Sequence, residues 1–258
     1  MNELDKLSKE IQNTQVIILA GGKAKRMGNI DKPKALLQVN GTTLLDHTID
    51  ILTGCGFKDF RFLLGYRHED IESHIGDGSK YGIKATYSVE PETVKGRAKA
   101  IKYALETGKI DKNKRALIYY PDDIFTDRQL PIKLLLQHLH IVEARNALVT
   151  ILFTSGTHYP FGVGELDSDM RVTNFIEKPF IQQYTNTGQY IIEPEVLSRI
   201  EKDIDLNSAE SPELEHGILP QLASENKVFG MVIPSQVWHS VNTFKEHEEA
   251  EKILSGKK

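Results

Sequence analysis

Short apolar runs alternate with helical apolar stripes through the first 150 residues of this 258-residue chain. Val16–Leu19 is rich in β-branched residues, as is typical of a strand that is buried on both faces. Similar runs and the helical patterns between them lie at Phe60–Leu64, Glu69–His74, Lys84–Ser88, Arg97–Glu106, Ala116–Tyr119, Asp127–Ile141 and Ala147–Phe153. This alternation predicts an α/β fold with a parallel sheet and right-handed crossovers.

After residue 153 the alternation gives way to a hairpin and a mixed set of elements. Phe161–Leu166 and Arg171–Ile176 flank the turn signal Asp-Ser-Asp and are predicted to pair. Further elements are predicted at Thr187–Ile192, Pro194–Ile200, Pro212–Ser224, Val228–Ile233 and about 243–254. We expect a single domain over residues 1–258, with an α/β half at about 14–150 and a second half at about 151–258 that carries the inserted hairpin.

The composition excludes several classes of protein. Thirty-six acidic residues against thirty-two basic ones give a net charge of −4, which disfavours a protein that grips nucleic acid through a basic face. Cys55 is the single cysteine, so no intramolecular disulfide can form and a reducing compartment is indicated. The first fifteen residues are charged, unlike a signal peptide, and the longest apolar run, Val16–Ala20, is too short to span a bilayer. We expect a cytoplasmic protein that binds neither nucleic acid nor membrane.

Residues 19–28 follow the first predicted strand and read Leu-Ala-Gly-Gly-Lys-Ala-Lys-Arg-Met-Gly. Small residues such as Gly21 and Gly22 let backbone N–H groups approach an anion, and Lys23 and Arg26 add positive charge. The segment contains neither G-x-x-x-x-G-K-[ST] nor G-x-G-x-x-G, so it is neither a Walker loop nor a dinucleotide fingerprint. Taken alone, it fits a phosphate-binding loop or an exposed turn.

Four motifs in order carry a family resemblance. Residues 32–41 read Lys-Pro-Lys-Ala-Leu-Leu-Gln-Val-Asn-Gly, 120–125 Tyr-Pro-Asp-Asp-Ile-Phe, 175–179 Phe-Ile-Glu-Lys-Pro and 186–190 Asn-Thr-Gly-Gln-Tyr. Together with the Leu-Ala-Gly-Gly and Arg-Met-Gly of the preceding loop, these motifs resemble those of the sugar-1-phosphate nucleotidylyltransferases. The resemblance implies a Rossmann-like three-layer α/β/α fold with a predominantly parallel mixed sheet. It also implies the reaction of a nucleoside triphosphate with a sugar 1-phosphate, which yields a nucleotide sugar and pyrophosphate with Mg²⁺ as cofactor.

The resemblance divides the chain into a nucleotide-binding half and a sugar-phosphate-binding half. On the nucleotide side it assigns Arg26 to the β- and γ-phosphates and Lys34 to the α-phosphate. The remaining nucleotide-binding residues would be Leu19, Ala20, Gly21, Gly22, Lys23 and Gly96. The catalytic residues that it implies are Arg26, Lys34, Asp122 and Lys178.

On the sugar side, the resemblance assigns Lys178 to the phosphate of the sugar substrate and Glu177 to its hydroxyl groups. Gly162 and Asn186 would complete the sugar pocket. Asp122 follows a predicted strand, where a carboxylate suits Mg²⁺, and it would also contact the substrate. Asp123 is expected to cap or form the turn.

Two departures from the family pattern concern the base and the metal. Arg97 and Lys99 are unusual in the loop that reads the nucleobase, so the base cannot be carried over. Ser240 stands where many members have a metal-binding aspartate. Val241-Asn242 resembles the Val-Asn of the GlcNAc-1-phosphate uridylyltransferases, which predicts Asn242 as a second contact to Mg²⁺. The alternative is that Asn242 caps the following helix.

Three functions therefore remain open from the sequence. The first is an enzyme that uses a hexose 1-phosphate with UTP, dTTP or GTP. The second is a nucleotidyltransferase with another acceptor, such as phosphocholine, a polyol phosphate or molybdopterin. The third is a catalytically silent relative that binds a nucleotide sugar and regulates a partner. Self-association into a homo-oligomer is also left open.

Overall fold

The fold is described from a computed structural model, which covers residues 2–23, 31–209 and 213–256. The elements of the first half are α1 (Glu3–Gln12), β1 (Thr14–Leu19), β2 (Gln38–Val39), β3 (Thr42–Thr43), α2 (Leu44–Gly54), β4 (Asp59–Leu64), α3 (His68–Ile75), β5 (Lys84–Val89), α4 (Arg97–Glu106), β6 (Arg115–Tyr119), β7 (Asp123–Phe125) and α5 (Leu130–Arg145). Those that follow are β8 (Val149–Thr154), β9 (Thr157–His158), β10 (Val163–Leu166), β11 (Val172–Ile176), β12 (Phe180–Ile181), β13 (Thr185–Ile192), α6 (Pro194–Asp203), α7 (Ile218–Ser224), β14 (Val228–Ile233), β15 (Trp238–Ser240) and α8 (Phe244–Leu254).

A seven-stranded sheet organises the molecule, with the strand order β14-β8-β13-β6-β1-β4-β5. All neighbours are parallel except β13, which is antiparallel to both β6 and β8. The predicted, mostly parallel mixed sheet is therefore confirmed. The sheet is continuous across the expected boundary near residue 150, because β8, β13 and β14 extend it. Since β1, β4, β5 and β6 are parallel, their carboxyl ends meet at one edge, where α/β folds bind ligands.

Helices cover both faces of the sheet. Val16 and Ile18 of β1 belong to the core formed with α2, α3 and α5, whereas Ile17 belongs to the core formed with α4, α6 and α7. All three residues are fully buried, which explains the continuous apolar run of this strand. The alternation of their side chains between two cores produces the three layers.

The observed bounds of several helices differ from the predicted ones; the helix predicted over 127–141, for example, is α5, which runs over Leu130–Arg145. The helical spacing of Leu45, Thr48, Ile49 and Leu52 predicts a helix that Gly54 closes, but α2 includes Gly54. The residue with positive φ beyond its end is Gly56, at φ 90°. The helix predicted over 212–224 starts only at Ile218, after a short 3₁₀ turn at Leu214–His216. Among the described residues, no helix has both the length and the apolar character needed to cross a membrane.

Candidate active site

Lys34, Asp122 and Asn242 meet at the carboxyl edge of the sheet. The ammonium group of Lys34 donates to Oδ2 of Asp122 and to Oδ1 of Asn242, each at 2.7 Å. Lys34 begins a short 3₁₀ turn, Asp122 follows β6, and Asn242 lies between β15 and α8. Two oxygen atoms from distant parts of the chain thus converge on one cation.

A small antiparallel ladder brings these segments together. β15 pairs with β7, with Ser240 opposite Asp123, and the amide of Val241 donates to the carbonyl of Asp122 at 3.1 Å. Asp123 is buried and accepts the indole N–H of Trp238 at 2.9 Å, so its expected role as a turn or cap residue is wrong. Burial, and after it the charge of Asp122, raises the pKa of Asp123 well above its usual value. Asp122 is left as the carboxylate that faces Lys34.

The start of helix α8 explains how Asn242 is free to face Lys34. Thr243 is the N-cap residue, and its hydroxyl accepts from the amide of Glu246 at 3.3 Å. The Glu246 carboxylate accepts in return from the backbone amides of Asn242 and Thr243, at 2.7 and 2.8 Å. Ser240 donates to the same carboxylate at 3.1 Å. The alternative that Asn242 caps this helix is therefore wrong, and Ser240 supports the cap.

A cleft of about 290 Å³ lies beside this cluster and shares Asp122 with it. Its lining residues are Leu19, Gly21, Gly22, Leu63, Glu90, Gly96, Arg97, Ala100, Tyr120, Asp122 and Glu213.

The other residues predicted to bind the nucleotide do not line this cleft within the described part of the chain. Ala20 is buried and its amide already donates to the carbonyl of Leu63 at 3.0 Å. Lys23 lies over the ring of Tyr66, 4.3 Å from its centre, and lines a neighbouring cleft of about 870 Å³. Arg26 lies outside the described residues.

Glu90 stands between these two clefts, immediately after β5, and lines both of them. A Cβ atom on Gly65 would lie 2.8 Å from Oε1 of Glu90, and one on Gly21 would lie 3.1 Å from it. The two glycines therefore give the carboxyl group its room. Burial raises the pKa of Glu90 to about 7. No motif in the sequence marks this residue, since a single glutamate after a strand has no characteristic pattern around it.

Arg97 lines the 290 Å³ cleft as part of a charged network. Its guanidinium forms an ion pair with Glu213, lies 3.4 Å from Glu215 and stacks over Tyr120, 5.1 Å from the ring centre. Glu215 in turn accepts the hydroxyl of Tyr190 at 2.8 Å. The unusual arginine thus has protein partners that lie more than a hundred residues away in sequence. The other unusual residue of this loop, Lys99, is buried and donates to the carbonyl of Ser208.

Gly162, Glu177 and Lys178 form a separate group at the base of the exposed β10–β11 hairpin. A Cβ on Gly162 would lie 2.9 Å from a carboxylate oxygen of Glu177, and the side chain of Lys178 is 59% exposed. Among the residues that the structure describes, no hydrogen bond or ion pair joins this group to Lys34, Asp122 or Asn242. Of the residues expected on the sugar side, Gly162, Glu177 and Lys178 therefore lie together, apart from the site formed by Lys34, Asp122 and Asn242.

Asn186 shapes the end of β13. Its side-chain oxygen accepts from the amide of Gly188 at 2.8 Å, and its side-chain nitrogen donates to the hydroxyl of Tyr190 at 2.6 Å. Gly188 has φ 88° and sits at an irregularity in the pairing with β8. A Cβ there would lie 2.8 Å from the ring of Tyr120. This bulge therefore sets the position of an aromatic residue that lines the cleft.

Replacement of Gly188 by Ala is expected to lower the free energy of unfolding by about 2–4 kcal/mol, since it adds a clash with Tyr120 to the strain of a positive φ. Gly82→Ala is the matched control: Gly82 also has a positive φ, but a Cβ there would have no neighbour within 4 Å. This control should lose only about 1 kcal/mol. Urea denaturation of both variants measures the difference, and equal losses would contradict the proposed clash.

The donor atoms of the cluster fit a hard cation. Mg²⁺ binds in proteins through one or two carboxylates, completes its shell with waters and phosphate oxygens, and also accepts amide oxygens. Asp122 and Asn242 offer one carboxylate and one amide oxygen that already converge on the ammonium of Lys34. No group of three or more His, Cys, Asp or Glu residues that could hold a metal occurs within 2–23, 31–209 and 213–256. A metal here would therefore depend on these two oxygens and on the substrate.

A mostly parallel sheet with a glycine-lined cleft at the carboxyl ends of its strands is the architecture of an α/β nucleotide-binding protein. The chain matches the nucleotidyl transferase family over residues 15–255, and it therefore belongs to that family. It is 26% identical over 223 residues to the mannose-1-phosphate guanylyltransferase catalytic subunit beta of Drosophila pseudoobscura pseudoobscura, a match that covers 84% of this chain and 56% of the relative.

Other similar proteins are named for a different nucleotide and a different sugar phosphate. A UTP–glucose-1-phosphate uridylyltransferase of Synechocystis is 26% identical over 226 residues, which cover 80% of this chain and 56% of that protein. The chain spans between half and two thirds of the length of these curated relatives. A crystal structure from Bacillus anthracis, named as that of a "putative glucose-1-phosphate thymidylyltransferase" in complex with sucrose, has the same fold, with a TM-score of 0.70 at 22% identity. The match covers 93% of this chain and 94% of the Bacillus anthracis chain.

Proposed function

We propose that the protein transfers a nucleotidyl group from a nucleoside triphosphate to a sugar 1-phosphate and releases pyrophosphate. The observation that carries the proposal is the convergence of Lys34, Asp122 and Asn242 beside the glycine-lined cleft. The names of the relatives point to the same reaction class. We also propose a cytoplasmic location, in keeping with the single cysteine, Cys55.

The reaction needs no protein nucleophile. An oxygen of the sugar phosphate, already an anion, forms a bond to the α-phosphorus while the bond from this phosphorus to the bridging oxygen of the β-phosphate breaks. The electron pair leaves with pyrophosphate. Catalysis then consists of holding two polyanions in line and neutralising the transferring group. Lys34, whose ammonium lies between Asp122 and Asn242, would supply a positive charge to the α-phosphate.

The same site would hold Mg²⁺ through Asp122 and Asn242. When bound, the ion neutralises charge on the phosphate oxygens and orients them for in-line displacement. Lys34 lies against both oxygens, so it is positioned to exchange these partners for a phosphate when the substrates enter.

The two substrates would be held by different residues. Arg26 is proposed to grip the β- and γ-phosphates, where its planar fork can form paired hydrogen bonds. Lys178 is proposed to bind the phosphate of the sugar, with Glu177 on its hydroxyl groups. The side chain of Lys178 is exposed and its ammonium lies 4.0 Å from Oε1 of Glu177, so a ligand at this place could contact both residues.

This division predicts that two substitutions each affect the binding of a different substrate. Arg26→Ala should raise KM for the triphosphate and Lys178→Ala should raise KM for the sugar phosphate, each about ten- to hundredfold, because each loses a charge-assisted contact. Initial-rate measurements with each substrate varied in turn provide the test. Lys202→Ala, on the exposed face of α6, controls for the loss of one positive charge. Equal effects of both variants on both substrates would contradict the division.

The function itself is tested by a matrix of nucleoside triphosphates against a panel of phosphorylated acceptors, scored by pyrophosphate release with Mg²⁺ present. The panel holds glucose, mannose and N-acetylglucosamine 1-phosphates, together with phosphocholine and a polyol phosphate. Turnover with a sugar 1-phosphate supports the proposal, whereas turnover only with another acceptor replaces the substrate class. Tight binding of a nucleotide sugar without any turnover would indicate the silent, regulatory alternative.

A further inference from the structure

We propose that the groove between helix α1 and the amino ends of β4 and β5 binds a small amphipathic anion, a phosphate or carboxylate attached to an apolar chain. The groove has a volume of about 560 Å³, which is within the usual range for small-molecule sites. The six residues of β4 separate it by about 20 Å from the carboxyl edge of the sheet. The inference is therefore independent of the proposed function.

Helix α1 supplies the apolar wall of this groove. Leu4, Leu7 and Ile11 recur at the spacing of one helix face, and all three line the groove. No residue of α1 is buried, and Leu4 is 77% exposed. The helix also precedes residue 15, where the match to the family begins. Because an amphipathic helix normally buries its apolar face, an uncovered face that lines a cavity indicates an apolar ligand.

Two contacts hold α1 in place and leave the groove open. Glu10 accepts from the buried Arg115, at the start of β6, at 2.7 Å. The side chain of Ile11 packs against the core and lies beside Gly56, where a Cβ would be 3.8 Å from it. The groove is therefore already formed in the protein, and a ligand does not have to build it.

Lysines line the other wall. Lys58 precedes β4 and Lys84 begins β5, and the amide of Lys84 donates to the carbonyl of Lys58 at 2.7 Å. Lys114 pairs at 3.0 Å with Asp59, which also pairs with Arg61 at 2.8 Å, so the negative charge in this wall is neutralised. Within the described part of the chain, the ammonium groups of Lys58 and Lys84 have no hydrogen-bond or ion-pair partner. Their charge is available to an anion.

The two walls together define the ligand. Leu4 and Ile11 lie about 10 Å apart along the helix axis, so the apolar stripe fits a chain of that length rather than a bare ion. The lysines favour a negatively charged head group over a neutral or positive one. The ligand is a molecule free in solution, because the exposed acidic residues Glu3 and Asp5 at the start of α1 would be repelled by an anionic membrane.

Octyl phosphate, below its critical micelle concentration, is the probe that tests the groove. Calorimetric titration of the full chain should show saturable binding of one molecule per chain. Inorganic phosphate and octanol, each of which lacks one half of the ligand, should bind about tenfold or more weaker. Octyltrimethylammonium should not compete with the probe. A nucleoside triphosphate with Mg²⁺ should not displace it either, because the proposed phosphate site lies at the opposite edge of the sheet.

Two variants test the two walls separately. Lys58→Gln combined with Lys84→Gln should weaken the binding of octyl phosphate by about tenfold or more, and Leu4→Ser by about threefold or more. Lys9→Gln is the matched control, because Lys9 is exposed on the same helix but does not line the groove. All of these side chains are exposed, so thermal melting should show each variant to be folded.

The outcomes that would overturn the inference leave the proposed function untouched. Equal binding of octyl phosphate by the protein, the double lysine variant and Leu4→Ser would rule out the groove, and so would displacement by the triphosphate. Binding to phosphatidylglycerol vesicles without binding of octyl phosphate in solution would show a membrane contact in its place. Pyrophosphate release decides the proposed function in each case.

Discussion

Asp122→Asn is expected to lower turnover by about a hundredfold or more while the protein stays folded. The carboxylate is partly exposed and faces Lys34 at the cleft, so its charge serves the transferring phosphate rather than the core. Loss of a group that stabilises transition-state charge through a metal costs several kcal/mol. Loss of its ion pair with Lys34 should change the free energy of unfolding by only about 1 kcal/mol or less, as for other partly exposed pairs.

The measurement is pyrophosphate release as a function of Mg²⁺ concentration, together with thermal melting. Asp123→Asn is the matched control next to it. The introduced amide oxygen can still accept the indole N–H of Trp238. This control should retain most of the activity. Near-normal turnover of Asp122→Asn at saturating Mg²⁺ would rule out the assignment of Asp122.

Asn242→Ala should raise the Mg²⁺ concentration needed for the half-maximal rate by about tenfold or more. Replacement of a residue that only supports a metal ligand typically lowers metal affinity ten- to hundredfold, and Asn242 is proposed as a ligand itself. Asn242→Asp keeps an oxygen at the same place and should retain the metal dependence or strengthen it. The contrast between the two variants tests the oxygen atom rather than the side-chain volume.

Thr243→Ala provides the control for stability. Thr243 is the observed N-cap of α8, so its loss should cost about 1 kcal/mol and lower the melting temperature. Its Mg²⁺ titration should match that of the unaltered protein, because its hydroxyl serves only the helix. A Mg²⁺ titration of Asn242→Ala that also matches would dispose of the ligand role.

Local patterns were sufficient for most of the elements. The helix Arg97–Glu106 and the strand Val228–Ile233 have the predicted bounds, because the periodicity of apolar residues reflects which face each element buries. The ends were less certain where capping decides them. Both Asn242 and Thr243 are good N-cap residues, and only the hydrogen bonds of Glu246 show that Thr243 has this role.

The sequence by itself determined the α/β class, the mostly parallel sheet and the family, since these depend on local periodicity and on the order of short motifs. The tertiary structure alone decided which side chains meet. Lys34 reaches Asn242 across more than two hundred residues because β15 pairs with β7, and no local pattern specifies that pairing. Burial between Gly21 and Gly65 likewise distinguishes Glu90 from the exposed Glu92. Desolvation and long-range pairing are properties of the folded chain, and the chemistry of this site depends on both.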